Sequence, residues 1–253
     1  PLVARLLDAF VTAQAMHAAA GNARWAIGML HGIGNCLLHL GLPARAERVH
    51  GEQIASAERI GSRSLVTLGL INLGLAIATQ GRATQGEAVE RAALREGIEA
   101  GSRCFEVVAR LYLARILLMA GRTTEAEAEA LRAVGGAFSR NLSAPAWAVA
   151  ASARLQAGRP VDGLDAAVAA MADLDALGSL EEGEELVRLV YAESLHANGG
   201  AAEAHAAIRT ARDRLLQRAD LITEPEYRQS FLENVPENAR TLALAAEWLG
   251  SGG

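Results

Sequence analysis

Apolar residues recur along the chain at spacings of three and four, and the segments between turns consist mostly of Ala, Leu, Arg and Glu. This period is typical of amphipathic helices, and the alternation of Val, Ile and Thr that marks strands is missing. The predicted fold class is therefore all-α. The helices are predicted at about residues 2–20, 23–40, 43–60, 63–80, 84–100, 103–120, 124–138, 144–157, 161–177, 180–198, 201–221, 225–234 and 236–249.

Glycines separate these helices at regular intervals. A glycine just after a helix supplies the left-handed backbone that ends it. One glycine is missing near residue 140, and we expect Asn141, the next best residue for that conformation, to take its place. Pro145 and four other prolines fall in predicted first helical turns, where a missing N–H costs nothing. Nine glycines mark helix ends, the first six of them 20 residues apart: Gly21, Gly41, Gly61, Gly81, Gly101, Gly121, Gly158, Gly178 and Gly199.

Two consecutive helices give a period of 40 residues, which predicts a solenoid of helical hairpins. Small residues seven positions before and five positions after alternate glycines would let the two antiparallel helices of a hairpin approach closely. The positions before the turn hold Gly34, Gly74, Ala114, Ala151 and Ala192, and those after it hold Ala46, Gly86, Ala126, Gly163 and Ala204.

This pattern resembles the tetratricopeptide repeat, whose signature is a small residue before the hairpin turn, a glycine in the turn and two small residues on the next helix. The repeat length resembles the longer variant, of about 40 residues, in bacterial signalling proteins. The resemblance implies a right-handed α-α superhelix. It places residues 1–222 in one repeat array, a half repeat followed by hairpins at about 23–60, 63–100, 103–138, 144–177 and 180–221.

Residues 223–253 are predicted to form capping helices, because the open end of a solenoid exposes an apolar face that terminal units must cover. The stretch from Phe231 to Asn238, followed by Arg240, resembles the closing segment of tetratricopeptide regions in large bacterial Ser/Thr kinases and multidomain regulatory ATPases. The expected covering residues are Phe231, Leu232, Val235, Leu242, Leu244 and Trp248.

Composition narrows the possible functions. The formal charge is -5 and all 24 basic residues are arginine, so we expect neither nucleic acid nor a membrane as partner. Without lysine, a Walker-type phosphate loop or a Schiff base is excluded, and no cofactor is expected. Cys36 and Cys104 lie in predicted helices and no signal segment opens the sequence, which indicates a cytoplasmic protein. Because the sequence opens with Pro1, we expect it to be part of a longer protein.

Two groups of histidines are candidates for a metal site. His31, Asn35 and His39 share one face of a helix at spacings of four, and His196 and His205 flank the turn at Gly199. Neither group has the number and type of ligands that a metal site requires, so a polar groove lining and a solvated turn are the predictions. No nucleophile motif occurs, and we expect no enzyme activity.

In proteins that the chain resembles, the first helix of each hairpin faces a concave groove. Only Asn35 and Arg115 match, even remotely, the positions that hold a peptide carboxylate in some of them, so no such clamp is expected. Carried onto this sequence, the resemblance implies a groove-binding set of His31, Asn35, His39, Leu68, Ile71, Leu75, Leu111, Arg115, Met119, Ser152, Gln156, Glu193 and His196.

The predicted groove is apolar in the middle and polar at its ends, which leaves two alternatives. An apolar peptide or amphipathic helix docks there, or the surface is buried by the fold itself or by a second copy. The predicted function is a non-catalytic interaction scaffold, the regulatory segment of a bacterial signalling protein, which binds a protein or peptide or self-associates. The alternative is a small-ligand or peptide sensor that controls an attached kinase, ATPase or transcriptional output domain.

Overall fold

The computed structural model describes residues 2–250, so residues 1 and 251–253 of the predicted array and cap lie outside it. The described range contains thirteen helices and no strand, which confirms the all-α prediction. The helices are α1 Leu2–Ala19, α2 Ala23–His39, α3 Pro43–Arg59, α4 Arg63–Thr79, α5 Ala83–Glu99, α6 Arg103–Met119, α7 Thr123–Gly136, α8 Arg140–Gln156, α9 Pro160–Leu177, α10 Glu184–Ala197, α11 Ala201–Ala219, α12 Pro225–Glu233 and α13 Pro236–Leu249.

The nine glycines that were predicted to end helices all adopt the left-handed backbone, with φ between 62° and 83°. The turn after α2 shows how this works. The N–H of Gly41 donates to the carbonyl of Leu38 (3.0 Å), and the N–H of Leu42 donates to that of Leu37 (2.9 Å). These two bonds satisfy carbonyls that the end of the helix would otherwise leave unpaired.

The expectation for Asn141 is wrong. Every residue with positive φ in the described range is a glycine, and Asn141 lies inside α8. The chain instead turns through extended backbone at Ala137 and Ser139, and the Ser139 carbonyl accepts the N–H groups of Leu142 and Ser143. Because α8 starts at Arg140, Pro145 stands within the helix rather than in its first turn.

The tenth helix begins four residues later than predicted, at Glu184 rather than residue 180. The Glu184 carboxylate is buried, accepts the backbone N–H of Leu180 (3.1 Å) and pairs with Arg188 (2.9 Å) and Arg214 (3.0 Å). These contacts hold residues 178–183 as a loop, which frees Glu182 to extend toward α6.

The helices form the expected hairpin solenoid. Helices α2, α4, α6, α8 and α10 pack against one another in series, each is paired with the helix that follows it, and α1 packs on α2. The small residues act as predicted: a Cβ added to Gly86 would lie 2.5 Å from the carbonyl oxygen of Gly74, so α4 and α5 meet backbone to backbone. The architecture is therefore an all-α, tetratricopeptide-like solenoid of helical hairpins.

Arginine side chains join successive hairpins at both edges of the solenoid. At one edge, an arginine directly after the hairpin turn pairs with a glutamate of the preceding hairpin, as Arg122 does with Glu87 (2.6 Å). At the other edge, Arg63 pairs with Glu96 (2.8 Å), 33 residues further along the chain. The complete sets are Arg82–Glu47, Arg122–Glu87 and Arg159–Glu127, and Arg63–Glu96, Arg103 to the carbonyl of Gly136, and Arg140–Asp173.

Helices α12 and α13 connect the two ends of the solenoid. Helix α13 packs against α10 and α11. On α12, Ser230 donates to the carbonyl of Gly41 (3.1 Å) and Phe231 belongs to a buried cluster that also contains Leu37 of α2 and Leu215 of α11. The segment therefore contacts the first hairpin as well as the last.

Candidate functional site

The inner surface of the solenoid is formed by α2, α4, α6, α8 and α10, and two inserted segments divide it. One is the loop before α10, whose Glu182 carboxylate accepts the Tyr112 hydroxyl (2.8 Å) and pairs with Arg115 (3.4 Å). The other is the corner between α12 and α13, where Glu237 also pairs with Arg115 (3.3 Å). The interior is therefore partly filled by the chain itself.

The larger space that remains is a groove of about 1080 Å³, hereafter the main groove. It runs across the ends of α4, α6, α8 and α10, and the start of α13 forms its far wall. Most of its surface is apolar. Its lining residues are Ala78, Thr79, Gly81, Ala83, Arg115, Leu118, Met119, Val149, Ser152, Leu155, Gln156, Gly158, Pro160, Leu186, Leu189, Glu193, Ala197, Pro236, Glu237 and Arg240.

The charged side chains of the main groove pair with one another. Arg115 of α6 pairs with Glu237 of α13 (3.3 Å), and Glu193 of α10 pairs with Arg240 of α13 (3.1 Å). The Ser152 hydroxyl donates to the carbonyl of Ala148 (3.0 Å), which leaves its oxygen free to accept a hydrogen bond. The groove therefore offers an apolar surface with few polar groups and balanced charge.

A second cavity, of about 660 Å³, lies between the first and last hairpins and shares no lining residue with the main groove. His31, Asn35 and His39 line it from α2, and Arg214 and Arg218 of α11 stand on the opposite side. Both arginines pair with Glu184, at 3.0 and 3.4 Å. The cavity thus has histidine and asparagine side chains on one wall and the ion pairs of Arg214 and Arg218 with Glu184 on the other.

Burial shifts the acid–base behaviour of two groups near the divided interior. It lowers the pKa of His31 below its ordinary value, opposed by the nearby Glu182 carboxylate. It raises the pKa of Tyr112 well above its ordinary value, and Glu182 raises it further. Tyr112 is therefore a phenol that donates to Glu182, and the pair holds the loop before α10 in place.

The structure distributes the predicted groove residues among several environments. It brings Arg115, Met119, Ser152, Gln156 and Glu193 together in the main groove. It places His31, Asn35 and His39 in the second cavity.

Three apolar members of the predicted set do not form an open groove surface. Ile71, Leu75 and Leu111 are at most 4% exposed. They are buried because neighbouring inner helices pack against one another at these positions. Leu68 is half-buried and lies outside the lining of both cavities. His196 is exposed and stacks on Trp248, with ring centroids 4.3 Å apart, and it also lies outside both linings.

Three side chains that enter the interior of the solenoid from outside the repeat helices were not among the predicted site residues. Glu182 comes from a loop that was predicted to be helical, and Glu237 and Arg240 come from the predicted cap. Two features of the chain accompany these contributions. The loop is longer than the other inter-helix turns and carries Gly178 and Gly183, and the last two helices start with charged turns after Pro225 and Pro236.

Within residues 2–250, no group of three or more His, Cys, Asp or Glu side chains is arranged to hold a metal ion. Over the same range, no helix combines the length and the apolar character that crossing a bilayer requires.

No known family model matches the sequence, and no curated protein matches it either. Solved structures do match in fold. BtubC (BKLC) from P. vanneervenii superimposes with a TM-score of 0.63 at 13% identity, over 89% of this chain and 95% of that one.

Two Rap structures also match. The Rap conjugation gene regulator of plasmid pLS20, in complex with the Phr* peptide, has a TM-score of 0.61 at 10% identity, over 95% of this chain and 75% of that one. A Rap protein complexed with Competence and Sporulation Factor has a TM-score of 0.58 at 11% identity, over 93% and 74%. At these identities the matches establish a shared fold.

Proposed function

We propose that the chain is a non-catalytic scaffold that binds a segment of a partner protein, or a peptide, in the main groove. The observation that carries this proposal is the groove itself, a largely apolar space of about 1080 Å³ that residues 2–250 leave uncovered. The Rap structure with the Phr* peptide supports it, because a protein of the same fold was solved with a peptide. We further propose that the scaffold is the regulatory segment of a bacterial signalling protein of the cytoplasm.

The dimensions of the groove suit an extended chain. It crosses four helices, and packed helices lie about 8–10 Å apart, so its length is about 24–30 Å. An extended peptide advances about 3.3 Å per residue. The groove therefore accommodates about eight extended residues.

A library of random octapeptides displayed on phage tests the proposal. Met119→Glu places a charge in the groove, whereas Val168→Glu places one on α9, outside both cavity linings, and the two native side chains are similarly exposed, at 44% and 50%. We expect the unmodified chain and the Val168→Glu variant to retain the same peptides and Met119→Glu to lose them. Equal retention by both variants, or no enrichment by the unmodified chain, contradicts the proposal.

A second copy of the chain is the other occupant of the main groove that the sequence analysis leaves open. Sedimentation of the unmodified chain and of Met119→Glu distinguishes it: a dimer that Met119→Glu converts to a monomer would assign the groove to a second copy.

The contacts of α12 and α13 favour the sensor alternative as a second candidate. Glu237 and Arg240 of α13 line the groove. On the preceding helix, α12, the Ser230 hydroxyl donates a hydrogen bond to the carbonyl of Gly41 in the first hairpin. An effector in the groove would thus touch the segment that joins the two ends of the solenoid. Hydrogen exchange in residues 225–233, with and without a selected octapeptide, tests this candidate. Unchanged exchange contradicts it.

A further inference from the structure

The charged groups that line the main groove are Arg115, Glu193, Glu237 and Arg240. Two are cationic and two anionic, so the wall carries no net charge. Each has its partner within the protein: Arg115 pairs with Glu237 and Arg240 pairs with Glu193. Glu182 adds a second carboxylate to Arg115.

A charge placed against the apolar floor of this groove would lose water without gaining a free counter-charge. It would have to displace one member of an existing pair. Both pairs join the start of α13 to the inner helices, so displacing a member also weakens the attachment of α13. An uncharged segment has neither difficulty, and it gains contact with Leu118, Leu155 and Leu189 on the apolar floor.

We infer that the main groove selects an uncharged, apolar peptide segment, and that the Glu193–Arg240 pair is a determinant of this selectivity. The inference rests on the proposed peptide-binding function and adds the chemistry of the peptide. Gln156 and the oxygen of Ser152 supply the polar groups that could meet the backbone of such a segment.

Two single substitutions alter the charge balance without changing the apolar floor. Arg240→Met leaves Glu193 unpaired, and Glu193→Gln leaves Arg240 unpaired. The matched control is Arg228→Met, which breaks an exposed pair with Asp220 (2.6 Å) on residues that line neither cavity.

The probes are octapeptides selected by the unmodified chain from the phage library, made synthetically, and the same peptides with one central residue changed to Lys or to Glu. For the unmodified chain we expect uncharged selected sequences, and binding at least tenfold weaker after either change. In Arg240→Met, the peptide with Lys should bind less than threefold more weakly than the parent peptide, and the peptide with Glu should still bind at least tenfold more weakly. In Glu193→Gln, the peptide with Glu should lose less than threefold and the peptide with Lys at least tenfold. Arg228→Met should give the same two losses as the unmodified chain.

The outcomes separate this inference from the proposed function. Selected peptides that carry charge, and that Met119→Glu no longer binds, overturn the selectivity while peptide binding in the groove stands. Penalties that are the same in all four proteins overturn the role of the Glu193–Arg240 pair. Binding that Met119→Glu leaves intact, or the absence of any selected peptide, overturns the proposed function and the selectivity with it.

Discussion

The first two hairpins bury a polar side chain nine residues after the turn, whereas the last three bury an apolar one at that position. Seven residues before the hairpin turn stand Gly34 and Gly74, and nine residues after it stand His50 and Glu90, which are fully buried. In the other hairpins the same two positions are occupied by Ala114 and Ala130, Ala151 and Ala167, and Ala192 and Ile208, all buried.

The difference shows that the sizes of the residues at these two repeat positions are matched to each other. A Cβ on Gly34 would lie 2.3 Å from the His50 ring, and a Cβ on Gly74 would lie 2.5 Å from an oxygen of Glu90. Glycine thus makes room for the long polar side chain across the hairpin, and alanine stands where the opposite side chain is apolar. The first two hairpins consequently contain buried titratable groups at this position, which the last three do not.

The largest loss of stability is expected from a substitution in α12, which contacts both the first and the last hairpin. Phe231→Ala removes a buried ring from the cluster shared by the first and last hairpins, and such truncations cost about 3–5 kcal/mol. The free energy of unfolding, measured in urea, should fall by this amount. Hydrogen exchange should accelerate in α2 and α3 as well as in α12. Acceleration confined to residues 225–250 would show that this segment does not hold the first hairpin.

The next effect concerns the glycines themselves. Alanine favours a helix over glycine by about 1 kcal/mol, yet Gly34→Ala and Gly74→Ala should each destabilise the protein by about 1–3 kcal/mol, because the opposite polar side chain must move. Adding His50→Ala to Gly34→Ala should restore most of the loss. The control in an apolar hairpin, Ala151→Gly, should cost about 1 kcal/mol through the backbone alone. Additive effects of the Gly34 and His50 changes would break the proposed compensation.

A third expected difference between the first two hairpins and the last three is the pH dependence of stability. The amide oxygen of Gln53 accepts from Nδ1 of His50 (3.1 Å), and burial lowers the pKa of His50 to about 4. Between pH 6.5 and pH 4 the unfolded chain takes up a proton at His50 that the folded chain does not. Stability should therefore fall on acidification by about 2–3 kcal/mol, at 1.36 kcal/mol per pKa unit.

The measurement is the free energy of unfolding against pH for the unmodified chain and for His50→Gln. The variant should lack the His50 part of the decline, and the exposed control His196→Gln should keep it. An unchanged decline in His50→Gln would contradict this account.

Much of this architecture could be predicted from local signals. Helix periodicity, the glycine spacing and the small residues near each turn act within one or two helices, and the structure confirms the nine glycine turns and the hairpin solenoid. The turn near Asn141 could not be predicted this way, because extended backbone at Ala137 and Ser139 does the work of a glycine. Most of the arginine contacts between hairpins join residues 33–35 positions apart in the chain. This regular spacing is visible in the sequence but was not part of the prediction.

The candidate site was predictable only in part. Positions on the inner helices gave Arg115, Met119, Ser152, Gln156 and Glu193 of the main groove. Ile71 and its apolar neighbours are covered because adjacent inner helices pack closely, which depends on the curvature of the whole solenoid. The contribution of Glu182 and Glu237 depends on contacts between residues 67 and 122 positions apart in the chain.

The smallest change in stability is expected in the second hairpin, from the buried carboxyl group of Glu90. Neither carboxylate oxygen of Glu90 has a hydrogen-bond partner among the described residues, and burial raises its pKa well above the ordinary value. The unfolded chain releases this proton near pH 4, whereas the folded chain retains it to higher pH. The contribution of Glu90 to stability is therefore complete below about pH 4 and is lost as the pH rises, opposite in direction to that of His50.

Glu90→Gln resembles the protonated acid in shape and hydrogen-bonding groups but cannot ionise. It should stabilise the protein by about 1–2 kcal/mol at pH 8 and change little at pH 4, as measured by urea unfolding at the two pH values. The control Glu96→Gln removes a carboxylate that pairs with Arg63 at the surface, so it should show no such gain. A gain of equal size at both pH values would mean that Glu90 destabilises the hairpin through packing rather than through its charge, and the predicted opposition between the two polar hairpins would then be wrong.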